Sequence, residues 1–307
     1  MEAEFLDWLH EQLGDTHDVL LGPGDDAAVL RMLATSAIVT TTDLLTEGVD
    51  FLLADVAPAR IGRKALAVNL SDLAAMAATP VAALVALALP RMRAAELARA
   101  LFTGMLPLAR QYGVAIAGGD TNTWDGGLVI SITAIGRVTG HGPLRRDRAR
   151  PTDHILVTGQ LGGSLLGKQF DFAPRVTEAL ALHGQYDLHA GMDISDGLAL
   201  DLSRLAAASR CGAAVELDRV PIAAAARQLA ELDPSAGTSL EHALGDGEDF
   251  ELLLTAEPEV ADRIVLDQPL PVPVTRIGSM VAEPGLWQRD TDGSLRPLAP
   301  RGFQHGD

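Results

Sequence analysis

The residues best equipped for chemistry in this chain are carboxylates, and they sit at the ends of elements or in Gly-rich turns. Asp25 and Asp26 lie in Gly22-Pro-Gly-Asp-Asp26, Asp43 closes an apolar and threonine-rich run, and Asp72 follows Asn69 on a helix. Asp120 ends Gly118-Gly-Asp120, Asp193 and Asp196 bracket Ile194-Ser195, and Glu248-Asp249 follow Gly247. A turn or a helix cap accounts for any one of them alone. If the fold gathers them, their mutual repulsion demands hard cations with oxygen ligands. Mg2+ completed by phosphate oxygens is then the matching occupant, and phosphoryl transfer the matching chemistry.

Other chemistries have weaker signals. Gly162-x4-Gly167-Lys168 has the spacing of a phosphate-binding loop, but Gln169 stands where that loop needs Ser or Thr for Mg2+. The alternative there is a Gly-rich strand-to-helix turn with an exposed lysine. Gly22-x-Gly24-x-x-Ala27 has the outline of a dinucleotide fingerprint, yet Asp25 and Asp26 repel a bare pyrophosphate and a strand follows instead of a helix. The eight histidines include no His-x3-His pair and read as surface or capping residues. A Gly-x-Ser-x-Gly nucleophile elbow is absent from the sequence.

The charge balance narrows the partners. Asp and Glu outnumber Lys and Arg by 41 to 24, a net charge of −17, which disfavours general nucleic-acid binding. The same charge repels ATP unless metal ions stand between carboxylate and phosphate. Only Lys64 and Lys168 are available to any mechanism that needs a lysine. With 307 residues, 48% of them apolar, two domains with sizeable cores are expected. The longest apolar run, Val81–Leu89 between Pro80 and Pro90, is far short of the ~20 residues of a membrane span. The acidic start MEAEFLDWLHEQ is no secretory signal, and the lone Cys211 fits a reducing compartment. A cytoplasmic protein with no membrane partner is expected.

The elements that must position the carboxylates follow from periodicity. An amphipathic helix is expected over residues 1–13, strands over Ala27–Leu33 and Ile38–Thr42, and a long helix over Pro58–Ala78 with Leu66, Leu70 and Leu73 on one face. Asn69, Asp72 and Met76 share a different face of that helix. Val81–Leu89 reads as a buried strand, Ala94–Tyr112 as a helix bent at Pro107, Val114–Ala117 as a strand ending at Gly118, and Leu128–Val138 as another strand. The basic, proline-flanked Gly140–Pro151 marks the boundary between a domain over 1–142 and one over 143–307. Beyond it, strands are expected at Ile155–Thr158, Met192–Ser195, Ala214–Leu217, Phe250–Thr255 and Val272–Ile277, with a helix from Asp196. This irregular alternation gives an α/β or α+β protein with mixed sheets.

Six segments recur in a known order: Gly24-Asp-Asp-Ala-Ala-Val-Leu30, Thr41-Thr-Asp43, the block Lys64–Met76, Gly118-Gly-Asp-Thr121, Asp193-Ile-Ser-Asp-Gly-Leu198 and Gly247-Glu-Asp-Phe-Glu-Leu252. In these the chain closely resembles the thiamine-monophosphate kinases, within the aminoimidazole ribonucleotide synthetase-like superfamily, over about Gly22 to Phe303. The resemblance implies a two-domain fold whose N-terminal α/β domain forms a barrel with its copy in a homodimer. It also implies transfer of a phosphoryl group from ATP to thiamine monophosphate, giving thiamine diphosphate.

Carried over motif by motif, Asp26, Thr41, Thr42, Asp43, Asp72, Asp120, Asp193 and Asp196 would hold several Mg2+ ions. Tyr112, Gly119, Asp120, Ser195 and Arg146 would contact ATP, with Arg146 also offsetting charge that develops on the transferred phosphate. Asp50, Glu248 and Phe303 would meet the thiamine compound; Asp50 stands where the family usually has His, and Phe303 would stack on a thiamine ring. The implied acceptor is an already anionic phosphate oxygen, so no general base is expected. Two rival readings stay open: another ATP-using enzyme of the superfamily, and a non-catalytic Mg-nucleotide-binding protein. The selenophosphate branch is disfavoured, because the only cysteine is Cys211.

Overall fold

The computed structural model describes residues 12, 19–21, 29–30 and 37–304. Asp26 with its Gly-rich turn, the expected first helix and most of the expected strand Ala27–Leu33 therefore lie outside the described residues. The chain divides into two units, Met1–Leu73 with Ala78–Gly140, and Ala74–Ala77 with His141–Asp307.

In the first unit, β1 (Val19–Leu21) and β2 (Val29–Leu30) form a short antiparallel pair. The main sheet uses β3 (Ile38–Thr46), β4 (Ala78–Pro90), β5 (Ala115–Trp124) and β6 (Val129–Val138) in the order β3-β6-β4-β5. Only the β4–β5 pair of this sheet is parallel. Period-two alternation assigns the faces: Ile130, Ile132, Ala83, Val85 and Leu87 are buried, whereas Leu84 and Ala86 are exposed. Pro80, which has no N–H for the ladder, falls where the pairing of β4 with β6 shifts register.

Helices α1 (Pro58–Ala75) and α2 (Ala94–Gln111) cover the buried face. Leu66, Leu70 and Leu73 are fully buried, each contributing roughly 1.5–3 kcal/mol. The two helices meet backbone to backbone. A Cβ at Gly62 would stand 2.1 Å from the Leu101 carbonyl oxygen, and one at Gly104 only 1.7 Å from that of Ala59. α2 runs through Pro107 to Gln111.

The second unit holds β7 (His154–Thr158), β8 (Leu188–Asp193), β9 (Gly212–Val215), β10 (Leu252–Ala256), β11 (Val274–Val281), β12 (Gly285–Arg289) and β13 (Leu295–Pro297). They form one sheet in the order β13-β12-β9-β11-β7-β10-β8, in which only β12 and β9 run parallel. The helices are α3 (Lys168–Asp171), α4 (Val176–Gln185), α5 (Leu198–Ala208), α6 (Ala224–Leu232), α7 (Ser239–Gly245) and α8 (Pro258–Asp267). Every residue of β10 is buried, and Ile155, Val157, Met192, Leu202, Leu253 and Ile277 pack one core. A capping box between Thr238 and Glu241 starts α7. The architecture is mixed α/β with two principal sheets, as expected.

Several boundaries differ from expectation for local reasons. β5 does not stop at Ala117 but continues to Trp124, because β4 offers a parallel partner as far as Pro90. β8 spans Leu188–Asp193 instead of Met192–Ser195, since the N–H groups of Ser195, Asp196 and Gly197 turn to the Asp201 carboxylate. β10 begins at Leu252, because Phe250 has φ +50°, outside strand geometry.

Candidate active site

On β3, Thr41 and Asp43 project from the helix-covered face toward Asp72 on α1, and the Thr41 hydroxyl donates to the Asp72 carboxylate. The Asp43 Oδ2 atom is buried and has no hydrogen-bond partner among the described residues. Burial first, then the neighbouring charges of Asp72 and Asp50, push the Asp43 carboxyl up to about 7. A buried orphan oxygen beside a second carboxylate suits a hard cation with oxygen ligands. Asp50 accepts a 2.6 Å hydrogen bond from the Thr46 N–H and donates its own N–H to the Thr46 carbonyl, so one carboxylate oxygen is engaged in closing a turn.

Two polar residues of α1 belong to this neighbourhood, although the sequence reading gave them no role. Lys64 is 1% exposed and its Nζ donates to the Asp50 carbonyl at 3.2 Å. Asn69 is fully buried, donates to the Ala65 carbonyl at 3.0 Å and leaves its Oδ1 without a partner among the described residues. Their signal was present: amphipathic polar side chains inside a helix that is apolar around them.

Thr42 and Asp120 lie on the other face of the sheet. Leu44, Ser131, Ala86 and Asp120 form one cross-strand row on that open face, and Thr42 accepts from the Thr133 hydroxyl there at 3.1 Å. β3 and β5 are the two edges of the sheet, three strand spacings or about 14 Å apart. Asp120 is exposed and accepts from the Thr121 N–H at 2.9 Å. Beside it, a Cβ on Gly119 would stand 1.8 Å from the Val85 carbonyl oxygen, so only glycine fits. Tyr112 is half-buried where α2 ends.

In the second unit the main chain gathers the remaining candidates. Asp193 is buried at the end of β8. Past it, the Ile194 N–H donates to the Glu251 carbonyl at 2.9 Å, and the Ile194 carbonyl accepts from Phe250 at 2.8 Å. The Ser195 carbonyl accepts from Glu248 at 2.6 Å, and the Asp196 carbonyl from Phe303 at 2.9 Å. Glu248 is half-buried, whereas Phe303 keeps 50% of its surface exposed.

Asp196 does not cap the following helix. Asp201, reaching back from within α5, accepts the N–H groups of Ser195, Asp196 and Gly197 at 3.0, 2.9 and 3.2 Å. Burial raises the Asp201 carboxyl to about 6 against the opposing pull of these donors. Asp196 instead pairs with Arg204. Arg146 is exposed in a single 3-10 turn, Arg146–Arg148, whose carbonyl at Arg146 accepts from Ser209 at 2.6 Å.

The phosphate-loop pattern has an internal occupant. Gly162 donates its N–H to both Asp249 oxygens at 2.9 Å, Gly163 donates to Asp246 at 2.9 Å, and the Ser164 hydroxyl donates to the Gly247 carbonyl at 2.6 Å. A backbone nest that elsewhere cradles phosphate here holds the chain's own carboxylates. Lys168 donates to the Gln160 carbonyl and to Glu251 instead of reaching for a ligand. Burial pushes the Asp249 carboxyl up to about 7 despite the Lys168 charge. The expectation that all the histidines are surface or capping residues also fails: His183, His189 and His242 are buried, with His189 at 2.9 Å from Asp153 and His242 at 2.8 Å from Asp246.

Two family models match the chain: AIR synthase related protein, N-terminal domain, over residues 24–138, and the corresponding C-terminal domain over residues 153–286. Thiamine-monophosphate kinase of Rhodopirellula baltica is 45% identical over 314 residues, covering 100% of this chain and 98% of that protein. The chain belongs to the thiamine-monophosphate kinase family. The thiamine-monophosphate kinase of Escherichia coli K12 is 36% identical over 94% of this chain and 92% of its own length. Among solved structures, the thiamine-monophosphate kinase of Stenotrophomonas maltophilia K279a superposes with a TM-score of 0.80 at 37% identity, covering 94% of this chain and 96% of that one. AaThiL complexed with AMPPCP and TMP gives 0.77 at 25% identity over 99% and 96%. The hydrogenase maturation protein HypE of E. coli reaches 0.81 at only 21% identity. The fold is thus shared beyond the thiamine-monophosphate kinases.

Proposed function

We propose that this chain transfers the γ-phosphoryl group of ATP to the phosphate of thiamine monophosphate, giving ADP and thiamine diphosphate by direct in-line transfer. The observation that carries this reading is 45% identity to a thiamine-monophosphate kinase across the whole chain. Asp26, Thr41, Thr42, Asp43, Asp72, Asp120, Asp193 and Asp196 are assigned to Mg2+, and the buried orphan oxygen of Asp43 supports a cation there. Bound Mg2+ would neutralise phosphate charge and align donor with acceptor. Tyr112, Gly119, Asp120, Ser195 and Arg146 are assigned to ATP; the exposed guanidinium of Arg146 suits planar phosphoryl oxygens. Glu248, Phe303 and Asp50 are assigned to the thiamine moiety, supported for Phe303 by an exposed ring tethered through its N–H.

The acceptor oxygen is anionic at neutral pH, so this chain's residues bind and orient without abstracting a proton. The 1–142 domain is assigned to ATP, Mg2+ and dimerisation, and the 143–307 domain completes the enzyme. A homodimer closing on the open sheet face is supported by Ile38, Leu44, Leu84 and Trp124, apolar side chains exposed there. Among the described residues no helix is long and apolar enough to cross a membrane. A cytoplasmic location is supported by ATP as co-substrate and by the free, buried thiol of Cys211.

The test is turnover of thiamine monophosphate by purified protein with MgATP, with thiamine diphosphate detected by fluorescence after oxidation and chromatography. Magnesium-dependent thiamine diphosphate is expected. ADP without thiamine diphosphate would transfer the reading to another acceptor, and neither product would refute it.

A further inference from the structure

The Gly162 turn is not alone in gripping the Gly247–Leu252 loop. The segment from Lys168 to Arg175 places three side chains on it. Arg175 donates from Nε and Nη2 to the two oxygens of Glu251, each at 2.7 Å, and Lys168 Nζ donates to Glu251 at 3.1 Å. Phe172 stacks on Phe250, with ring centroids 4.1 Å apart and planes 16° from parallel. Glu251 is 1% exposed and also accepts from the Thr158 hydroxyl at 2.8 Å, so the gripped carboxylate is buried and both its oxygens are bonded.

What is gripped is a strained stretch. Gly247, Glu248 and Phe250 have φ of +73°, +53° and +50°, a region that side chains other than glycine rarely enter. Such a conformation persists only where its surroundings over-determine it, and it changes the direction in which the side chain leaves the backbone. A buried cluster of charges is a poor way merely to add stability, since well-packed apolar groups often do as well. A bidentate guanidinium–carboxylate fork does fix geometry. The Glu251 carbonyl also accepts from the Ile194 N–H, so the grip fixes the loop against the turn that carries Ser195 and Asp196.

We propose that Lys168, Phe172 and Arg175 are positioning residues for the acceptor substrate: through Glu251 and Phe250 they hold Glu248 in the left-handed conformation from which it meets the thiamine moiety. The inference rests on the assignment of Glu248 to that moiety made above.

The test compares steady-state kinetics of the full-length enzyme and its variants, varying thiamine monophosphate and ATP separately. Glu248→Gln sets the reference, an expected rise of about tenfold in KM for thiamine monophosphate with less than about twofold for ATP. Lys168→Met and Phe172→Leu should each raise the same KM about fivefold, with kcat and KM for ATP within about twofold. Lys168→Arg should restore the wild-type value. The double variant Glu248→Gln/Lys168→Met should be no worse than Glu248→Gln alone, within about twofold, because both act through one contact. Ile277→Val, a core change remote from the loop, should lower the melting temperature without altering the ratio of the two KM values. If Lys168→Met does not fold, Phe172→Leu, which keeps the charges, decides the matter. An unchanged KM for thiamine monophosphate in the loop variants, or additivity in the double variant, overturns the proposal. An unchanged KM in Glu248→Gln itself overturns the assignment of Glu248, a result read from that variant alone.

Discussion

Replacing Asp249 by Asn should make the protein relatively more stable as the pH rises. Asp249 is 1% exposed, and burial lifts its carboxyl from 3.8 to about 7 in the folded state. Between those values the folded chain holds a proton that the unfolded chain has released. Stability from this group is therefore complete below about pH 4 and is lost as the pH climbs through 7. The full displacement corresponds to about 4 kcal/mol, at ~1.36 kcal/mol for each tenfold change in proton affinity. About 3 kcal/mol of it falls between pH 5 and pH 8. The substituted amide would keep an oxygen for the Gly162 N–H but would not titrate, so its intrinsic penalty, roughly 1 kcal/mol for a weakened bond, is the same at both pH values. The difference in melting temperature, variant minus wild type, should thus move upward between pH 5 and pH 8. At about 2–4 °C per kcal/mol for a unit of this size, the movement is about 6–12 °C. Circular-dichroism melts of both proteins in buffers of equal ionic strength measure it. A difference that stays constant, or that moves downward with pH, would refute the reasoning.

Three further outcomes are expected. Asp43→Asn, which keeps the shape of a half-buried residue, should lower kcat by at least roughly a hundredfold while leaving the far-ultraviolet circular dichroism unchanged; near-normal kcat would remove Asp43 from the metal assignment. Phe303→Ala should raise KM for thiamine monophosphate about tenfold and that for ATP less than twofold, since the ring is exposed and its N–H anchor to Asp196 is retained; equal effects on both would make the tail structural. Leu44→Asp, at a side chain 63% exposed on the open sheet face, should give a folded monomer by light scattering, and an unchanged dimer mass would place the interface elsewhere.

The parts of the fold that could be read from sequence are those where one physical signal dominates. Val81–Leu89 is a strand because a proline-bounded apolar run has nowhere to go but the middle of a sheet, and Leu66, Leu70 and Leu73 mark the buried face of α1 by spacing alone. Boundaries failed where a distant partner decides. Nothing near Gly118 reveals that β4 will pair with the chain as far as Trp124, and nothing near Ser195 reveals that Asp201 will capture three N–H groups. The same limit applies to the carboxylates. Thr41, Asp43 and Asp72 could be grouped by chemical type, but that Thr42 and Asp120 face the other side of the sheet follows from register, which residue type does not encode. At Lys168 the missing Ser or Thr after a phosphate-loop spacing already tells against a phosphate site, but the internal carboxylates that occupy the nest lie some eighty residues further along the chain, out of reach of any local signal.

The left-handed residues at 248 and 250 also bear on how this sequence would change under selection. Each L-residue held there costs roughly 1–2 kcal/mol, a burden that glycine would lift and asparagine would ease. Variants screened for heat resistance alone should therefore accumulate Gly or Asn at position 248, whereas Phe250, 5% exposed and stacked on Phe172, is kept because losing its buried ring costs more than the strain. A population dependent on the enzyme's product should retain Glu248 in spite of the burden. Sequences recovered from the two regimes would diverge first in this loop, and the divergence would record which residues are kept for use instead of for durability.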